Sequence, residues 1–214
     1  MTEKTTTSRP VGAVLHSAVF YDVTVWFATF GRERAFREKI LSLVSPQAGE
    51  TVVDIGCGTG TLAVLAKRAV GPTGQVCGID ASPAMIARAR SKAQKAGVDL
   101  RFQNAAAQAL PFPDASFDVA LSTLMLHHLG RNARRQLACE MRRVIKPGGR
   151  VLVVDFARST RQRRRLLAHF HHGHGHVDLQ EIVGLLRAAD FDNVESGAVG
   201  IKELQYALAR APQY

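Results

Sequence analysis

The chain has 214 residues, 46% of them apolar and 21% charged, the composition of a soluble globular protein of one domain with a real core. Its three cysteines, Cys57, Cys77 and Cys139, lie far apart with no CxxC pair, which argues for a reducing compartment and against a disulfide framework or zinc site. The net charge of +10 is local: Arg131 to Arg165 holds twelve Lys/Arg against Glu140 and Asp155, and the rest of the chain balances at 16 basic and 16 acidic residues. Such a segment attracts the phosphates of nucleic acid, lipid or a small anion, unless it is only a solvated basic face.

The opening "MTEKTTTSRP" is polar and expected to fray. It does not read as a signal peptide, because His16 and Asp22 break the apolar run that follows. Val11–Phe30 has the length of a membrane span and one formal charge, but Gly12, His16, Ser17 and Asp22 argue against spanning. One or two short helices over a site or on a surface are expected there. "GRERAFREKILSLV" is helical, with Phe36, Ile40 and Leu43/Val44 on one face, and Ser45-Pro46 ends it.

From residue 50 strands and helices alternate. Strands are expected at Val52–Ile55, Gln75–Ile79, Leu100–Phe102, Phe117–Leu121 and Arg150–Phe156, the last entered through the turn "KPGG". Helices are expected at Leu62–Val70, from the cap Ser82-Pro83 to Gly97, over Ala133–Ile145, and from the cap Asp178 through Ala189. Two further strands, about Asn193–Val199 and Glu203–Ala209, finish the chain. This pattern predicts an α/β fold: a Rossmann-like, doubly wound, mostly parallel seven-stranded sheet with helices on both faces. Residues 1–49 form a helical lead-in or cap and residues 50–214 the nucleotide-binding domain. Residues 158–176, basic and then His-rich, interrupt the rhythm as a cap segment.

The nucleotide is indicated by "TVVDIGCGTGTL", Thr51–Leu62. A strand runs into Gly56, Gly58 and Gly60, a G-x-G-x-G spacing in which Thr61 stands where a dinucleotide fingerprint has its third glycine. Asp80, at the end of the second strand, can accept hydrogen bonds from both hydroxyls of a ribose. NAD and S-adenosylmethionine both offer that ribose. The ordered motifs "VVDIGCGTG", "GIDASPAMIARAR", "ALPFPDASFDVALSTLMLHHL" and "RVIKPGGRVLVVDF" closely resemble class I S-adenosylmethionine-dependent methyltransferases over about residues 50–157. The branch most resembled is the small-molecule one that includes quinone-biosynthesis C-methyltransferases and bacterial phospholipid N-methyltransferases. "YD" at Tyr21-Asp22 and "GRERAFREKIL" resemble its lead-in.

The resemblance implies S-adenosylmethionine as cofactor and assigns roles. Backbone of Gly56, Cys57, Gly58 and Gly60 passes the methionine moiety, and Asp54 orients the loop or meets the amino group. Asp80 binds the ribose, Ala81 lies against the adenine, and Thr123 approaches the sulfonium side. Where the family has Asp or Asn for the adenine amino group, this chain has Ala106. Backbone at Ala106 and Ala107 can still meet the ring, and Asn104 or Gln108 can substitute. The missing hydrogen bond is worth about 0.5–1.5 kcal/mol.

Transfer from a sulfonium needs positioning, and a base only when the acceptor carries a proton that must leave. Candidates for that base are His127, His128 and Tyr21. "HFHHGHGH", His169–His176, has five histidines but two glycines and no Cys or carboxylate, and reads as a substrate cap with no metal expected. The expected function is methyl transfer to a small or lipid-like acceptor, a quinone precursor or a phospholipid amine. The competing readings are a nucleic-acid methyltransferase, disfavoured without a separate binding domain or an NPPY-type motif, a non-catalytic subunit that binds the cofactor, and, most distantly, an NAD oxidoreductase. The apolar and basic segments together predict a cytoplasmic protein that can attach peripherally to the inner, anionic membrane face. The oligomeric state is not legible in the sequence.

Overall fold

The computed structural model describes residues 33–156, 177–201 and 204–214. Tyr21, Val11–Phe30, Arg158–Arg165 and the His-rich tract lie outside the described residues.

Strand β1 (Thr51–Ile55) occupies the middle of the sheet, and Val52, Val53 and Ile55 are fully buried, as a parallel strand covered on both faces requires. Strands β2 (Gln75–Asp80) and β4 (Phe117–Thr123) flank it in parallel. Strand β3 (Arg101–Asn104) extends the sheet beyond β2, and β5 (Ile145–Phe156) extends it beyond β4. Strand β7 (Leu204–Arg210) inserts antiparallel between β5 and β6 (Asp192–Ala198), giving the order β3-β2-β1-β4-β5-β7-β6. The expected seven-stranded, mostly parallel sheet is present, and its strand order reverses at β1, where β2 lies on one side and β4 on the other.

Helices α1 (Glu33–Val44), α2 (Thr61–Val70) and α3 (Pro83–Lys95) cover one face, where Phe36, Ile40, Leu62 and Ile86 pack on Val52, Leu121 and Leu152. Helices α4 (Arg131–Val144) and α5 (Leu179–Ala188) cover the other, where Leu137, Met141 and Ile182 pack on Val53, Ile55 and Val153. Neighbouring residues of a strand therefore serve different cores. The expected caps are formed: Ser82 Oγ accepts from Met85 N, and Asp178 Oδ1 accepts from Gln180 N.

Two expectations need correction at the α4–β5 junction. Ile145 does not end the helix but opens β5, pairing with Phe117, and "KPGG" lies within that strand. The register shifts between Phe117 and Val119, so Lys146–Gly149 are accommodated as a bulge and the strand is longer than Arg150–Phe156.

The basic segment is also less free than its sequence suggests. Among its described residues, Arg134 pairs with Glu181, Arg142 with Asp190, Arg143 with Asp114 and Glu140, Lys146 with Asp118, and Arg150 with Glu50. Most of these acids lie elsewhere in the chain. Arg150 does the most: it grips Glu50 through two nitrogens and donates to the carbonyls of Val44 and Ser45, tying the end of α1 to β5. Removing it strands a largely buried carboxylate and two carbonyls. Arg150→Ala is expected to cost about 2–4 kcal/mol in urea unfolding, whereas Arg34→Ala, on an exposed helix pair, should stay within about 0.5 kcal/mol.

Candidate active site

The loop between β1 and α2 rises from the carboxyl edge of the sheet, where ligand crevices of open α/β sheets lie at the reversal of strand order. Gly56 and Gly60 adopt φ of +74° and +79°. A Cβ on Gly56 would lie 2.5 Å from the Met125 side chain, and one on Gly60 would lie 2.9 Å from both Ala89 and Phe102. These two glycines are required by the protein's own packing and backbone, a reason separate from the ligand approach the resemblance implied. Backbone N–H groups of Gly56 and Cys57 donate to the Ile79 carbonyl, and Gly60 N donates to the Cys57 carbonyl. Lys92, from α3, locks the outer loop by donating to Thr59 and Thr61 hydroxyls at 2.8 and 2.7 Å. The Cys57 thiol is buried, which pushes its pKa up and makes it inert.

Asp80 sits under this loop. Its two oxygens accept from Gly58 N at 2.9 Å and Ser82 N at 2.8 Å, which fixes the carboxylate plane and leaves acceptor capacity on both oxygens. Burial pushes its pKa up against the pull of those N–H groups. Ala81 is exposed beside it. Asn104 donates its amide to the Asp80 carbonyl at 2.9 Å, which leaves its Oδ1 out of that bond. Ala106 is exposed and Ala107 half-buried, with the Ala106 carbonyl taken by Ala109 N.

Asp54 is 1% exposed, and neither carboxylate oxygen has a hydrogen-bond partner among the described residues. Burial raises its pKa to about 7, opposed by the Arg37 charge, reinforced by Asp80 and opposed again, least of all, by the nearby Ala63 N–H. Arg37, a buried residue of α1, donates to Thr123 Oγ1 at 3.3 Å. Thr123 thus closes β4, which runs two residues past the expected Leu121, and its hydroxyl faces α1. The chain then turns through Leu124 at φ +56°, a conformation that favours glycine and strains a branched residue.

The turn delivers His127 and His128 on a short 3-10 segment, Leu126–His128, on the opposite face of the sheet. His127 Nδ1 is 2.7 Å from Oδ1 of Asp155, and His127 N donates to Oδ2 at 3.1 Å. Asp155 is fully buried at the end of β5. The His127 ring lies 4.0 Å from that of His128 and 5.4 Å from that of Phe156, which is 40% exposed. Arg134 holds this segment from below, donating to the Leu126 carbonyl and to Glu181.

The structure thus groups the expected loop residues with Asp54 and Asp80, and places His127 and His128 at the same edge. Sequence reading passed over Arg37, Lys92 and Asp155. A basic residue on an otherwise apolar helix face was the available signal for Arg37, and the acid closing "RVLVVD" was the one for Asp155.

Residues 52–149 match the family described as Methyltransferase domain. The demethylmenaquinone methyltransferase of Thermus thermophilus is 35% identical over 136 residues, 64% of this chain and 60% of that protein. The ubiquinone/menaquinone biosynthesis C-methyltransferase UbiE of Pseudomonas putida is 36% identical over 156 residues, 72% of this chain and 60% of that protein. The chain therefore spans about 60% of the length of these curated relatives. A solved SAM-dependent methyltransferase from Aquifex aeolicus superposes with a TM-score of 0.67 at 24% identity, over 81% of this chain and 88% of that one, a likeness of fold.

The orphaned Asp54 carboxylate has a measurable consequence. Its pKa is 3.8 when free and about 7 in the fold, so between those values the folded state binds more protons than the unfolded chain. Stability of the ligand-free protein should therefore fall as pH rises through that window. Urea midpoints at about pH 5 are expected to exceed those at about pH 8, and Asp54→Asn should remove most of the slope.

Proposed function

We propose that this chain, whose residues 52–149 match a methyltransferase domain, transfers a methyl group from S-adenosylmethionine to a small, lipid-like acceptor, with a quinone precursor the first choice over a phospholipid amine. The observation that carries the reading is the placement, at one sheet edge, of a buried carboxylate with no hydrogen-bond partner among the described residues, Asp54, and an oriented histidine, His127. The Arg37 charge offsets the burial of that carboxylate only in part, and a cationic group from outside the chain fits the remainder. The cofactor's ammonium is such a group, and Asp80 fits its ribose with lone pairs left over from Gly58 and Ser82. When bound, S-adenosylmethionine supplies an electrophilic methyl group on a leaving group that departs neutral.

This chain's residues do the rest. The glycine loop, braced by Lys92, brings backbone close without side chains in the way. Asn104 Oδ1 serves where Ala106 lacks an acceptor. His127 takes the proton of a hydroxyaromatic acceptor, and exposed Phe156 beside it gives a flat ring a surface to pack against. Tyr21 and His128 remain candidates for the same proton. The quinone precursors that the two curated relatives' names indicate are flat and amphipathic, which suits this wall.

Calorimetry and a labelled-methyl assay test the reading. S-adenosylmethionine or S-adenosylhomocysteine should bind and NAD should not, and Asp80→Ala should weaken binding by roughly 1.5–3 kcal/mol by deleting a charged acceptor. Demethylmenaquinol should accept label in preference to phosphatidylethanolamine vesicles or RNA. Label on phosphatidylethanolamine alone would move the assignment to the phospholipid branch.

Attachment to an anionic membrane belongs to the same proposal, since a lipid-like acceptor resides there. No helix among the described residues is long and apolar enough to cross a membrane. Arg131 and Arg135 are exposed and carry no ion pair among the described residues, and Arg158–Arg165 adds five further arginines to the same stretch of sequence. Vesicles with anionic lipid should sediment the protein at low salt, and neutral vesicles should not. Each basic residue contributes about 1 kcal/mol, so Arg163/Arg164/Arg165→Ala should release it.

A further inference from the structure

We propose that Asp155 is a positioning residue, one that fixes the proton of the His127 ring on Nδ1 and so keeps Nε2 free to take a proton from the acceptor. The inference rests on the methyltransferase reading of the site, but it concerns a feature of the ligand-free protein.

Asp155 has no exposed surface, so water cannot satisfy it. Three N–H groups do: Oδ1 accepts from Phe156 N at 2.7 Å and meets His127 Nδ1 at 2.7 Å, and Oδ2 accepts from His127 N at 3.1 Å. Both oxygens already accept from backbone donors, so the carboxylate has no proton placed to donate to the ring. The ring must therefore donate to the carboxylate. A neutral imidazole carries one N–H, so Nε2 holds a lone pair. The His127 ring lies against those of His128 and Phe156, and its side chain keeps 14% of its surface exposed. When Nε2 takes the proton, the bond to hydrogen breaks at the acceptor oxygen and forms at nitrogen. The electron pair stays on the acceptor as its nucleophile, and the new imidazolium faces the Asp155 charge.

A purely structural Asp155 would only tie the Leu126–His128 turn to β5 through backbone N–H groups. Asp155→Asn separates the two roles. Turned with its one oxygen toward His127 N, the amide gives up the Phe156 N bond, presents an N–H to His127 Nδ1 and drives the ring proton to Nε2. The experiment is a long-range ¹H–¹⁵N correlation on the full chain with ¹⁵N-labelled histidine, at a pH where the ring is neutral. Wild type should show the Nδ1–H tautomer at His127 and Asp155→Asn the Nε2–H tautomer. Carbethoxylation of His127 by diethyl pyrocarbonate, which needs a free ring nitrogen within reach, should be lost in the variant. With demethylmenaquinol as acceptor, kcat should fall roughly 10²–10⁴-fold and KM should change little. An Nε2–H tautomer in wild type would overturn the proposal whether or not the variant folds. Failure to methylate demethylmenaquinol would instead count against the acceptor assignment, since the tautomer is read without it.

Discussion

Side chains alternate across a strand, and at the carboxyl ends of β1, β4 and β5 this alternation sorts the polar groups onto two faces of one sheet. In register, Asp54 stands opposite Leu121, and Ile55 stands opposite Ser122. Asp54 and Thr123 therefore face α1, where Arg37 meets them. Ser122 and Asp155 face the α4 side, where His127 is anchored. The edge of the sheet is where both sets can reach one ligand, so the rest of the site depends on the strands ending where they do.

Two buried aspartates, each within a few residues of that edge, have opposite circumstances. Asp54 has no hydrogen-bond partner among the described residues and is driven toward its neutral form. Asp155 receives three N–H groups, two of them from His127, and needs nothing from outside. A carboxylate left without donors in a packed interior costs several kcal/mol, which is tolerable where a cationic ligand supplies the missing contact. A buried carboxylate already held by three contacts requires no partner from outside, and its energy goes into holding another side chain. One residue type thus supplies an open acceptor on one face and a brace on the other.

The supports behind these groups lie farther away. Arg150 fixes the end of α1, which sets where Arg37 arrives. Lys92 closes the glycine loop from α3. Arg134 holds the Leu126 carbonyl and is itself held by Glu181 on α5. Each is a charged group whose head is spent on backbone, hydroxyl or carboxylate oxygens inside the fold. This is also why a segment that looks uniformly basic in the sequence has most of its described charges matched.

The sequence by itself determined the strand and helix alternation, because hydrophobic period and caps such as Ser82-Pro83 and Asp178 are local. It determined the glycine loop and Asp80, because φ above zero and a strand-end carboxylate are legible in residue type and spacing. The placement of β5 was misread at its start, since a bulge over Lys146–Gly149 is decided by pairing with β4. Only the tertiary structure decided the partners. Arg37 and Thr123 are 86 residues apart, Lys92 and Thr59 are 33 apart, and His127 and Asp155 are 28 apart. No periodicity links such pairs. They are brought together by strand order and register, which arise from the packing of the whole sheet, and so does the face on which each side chain ends.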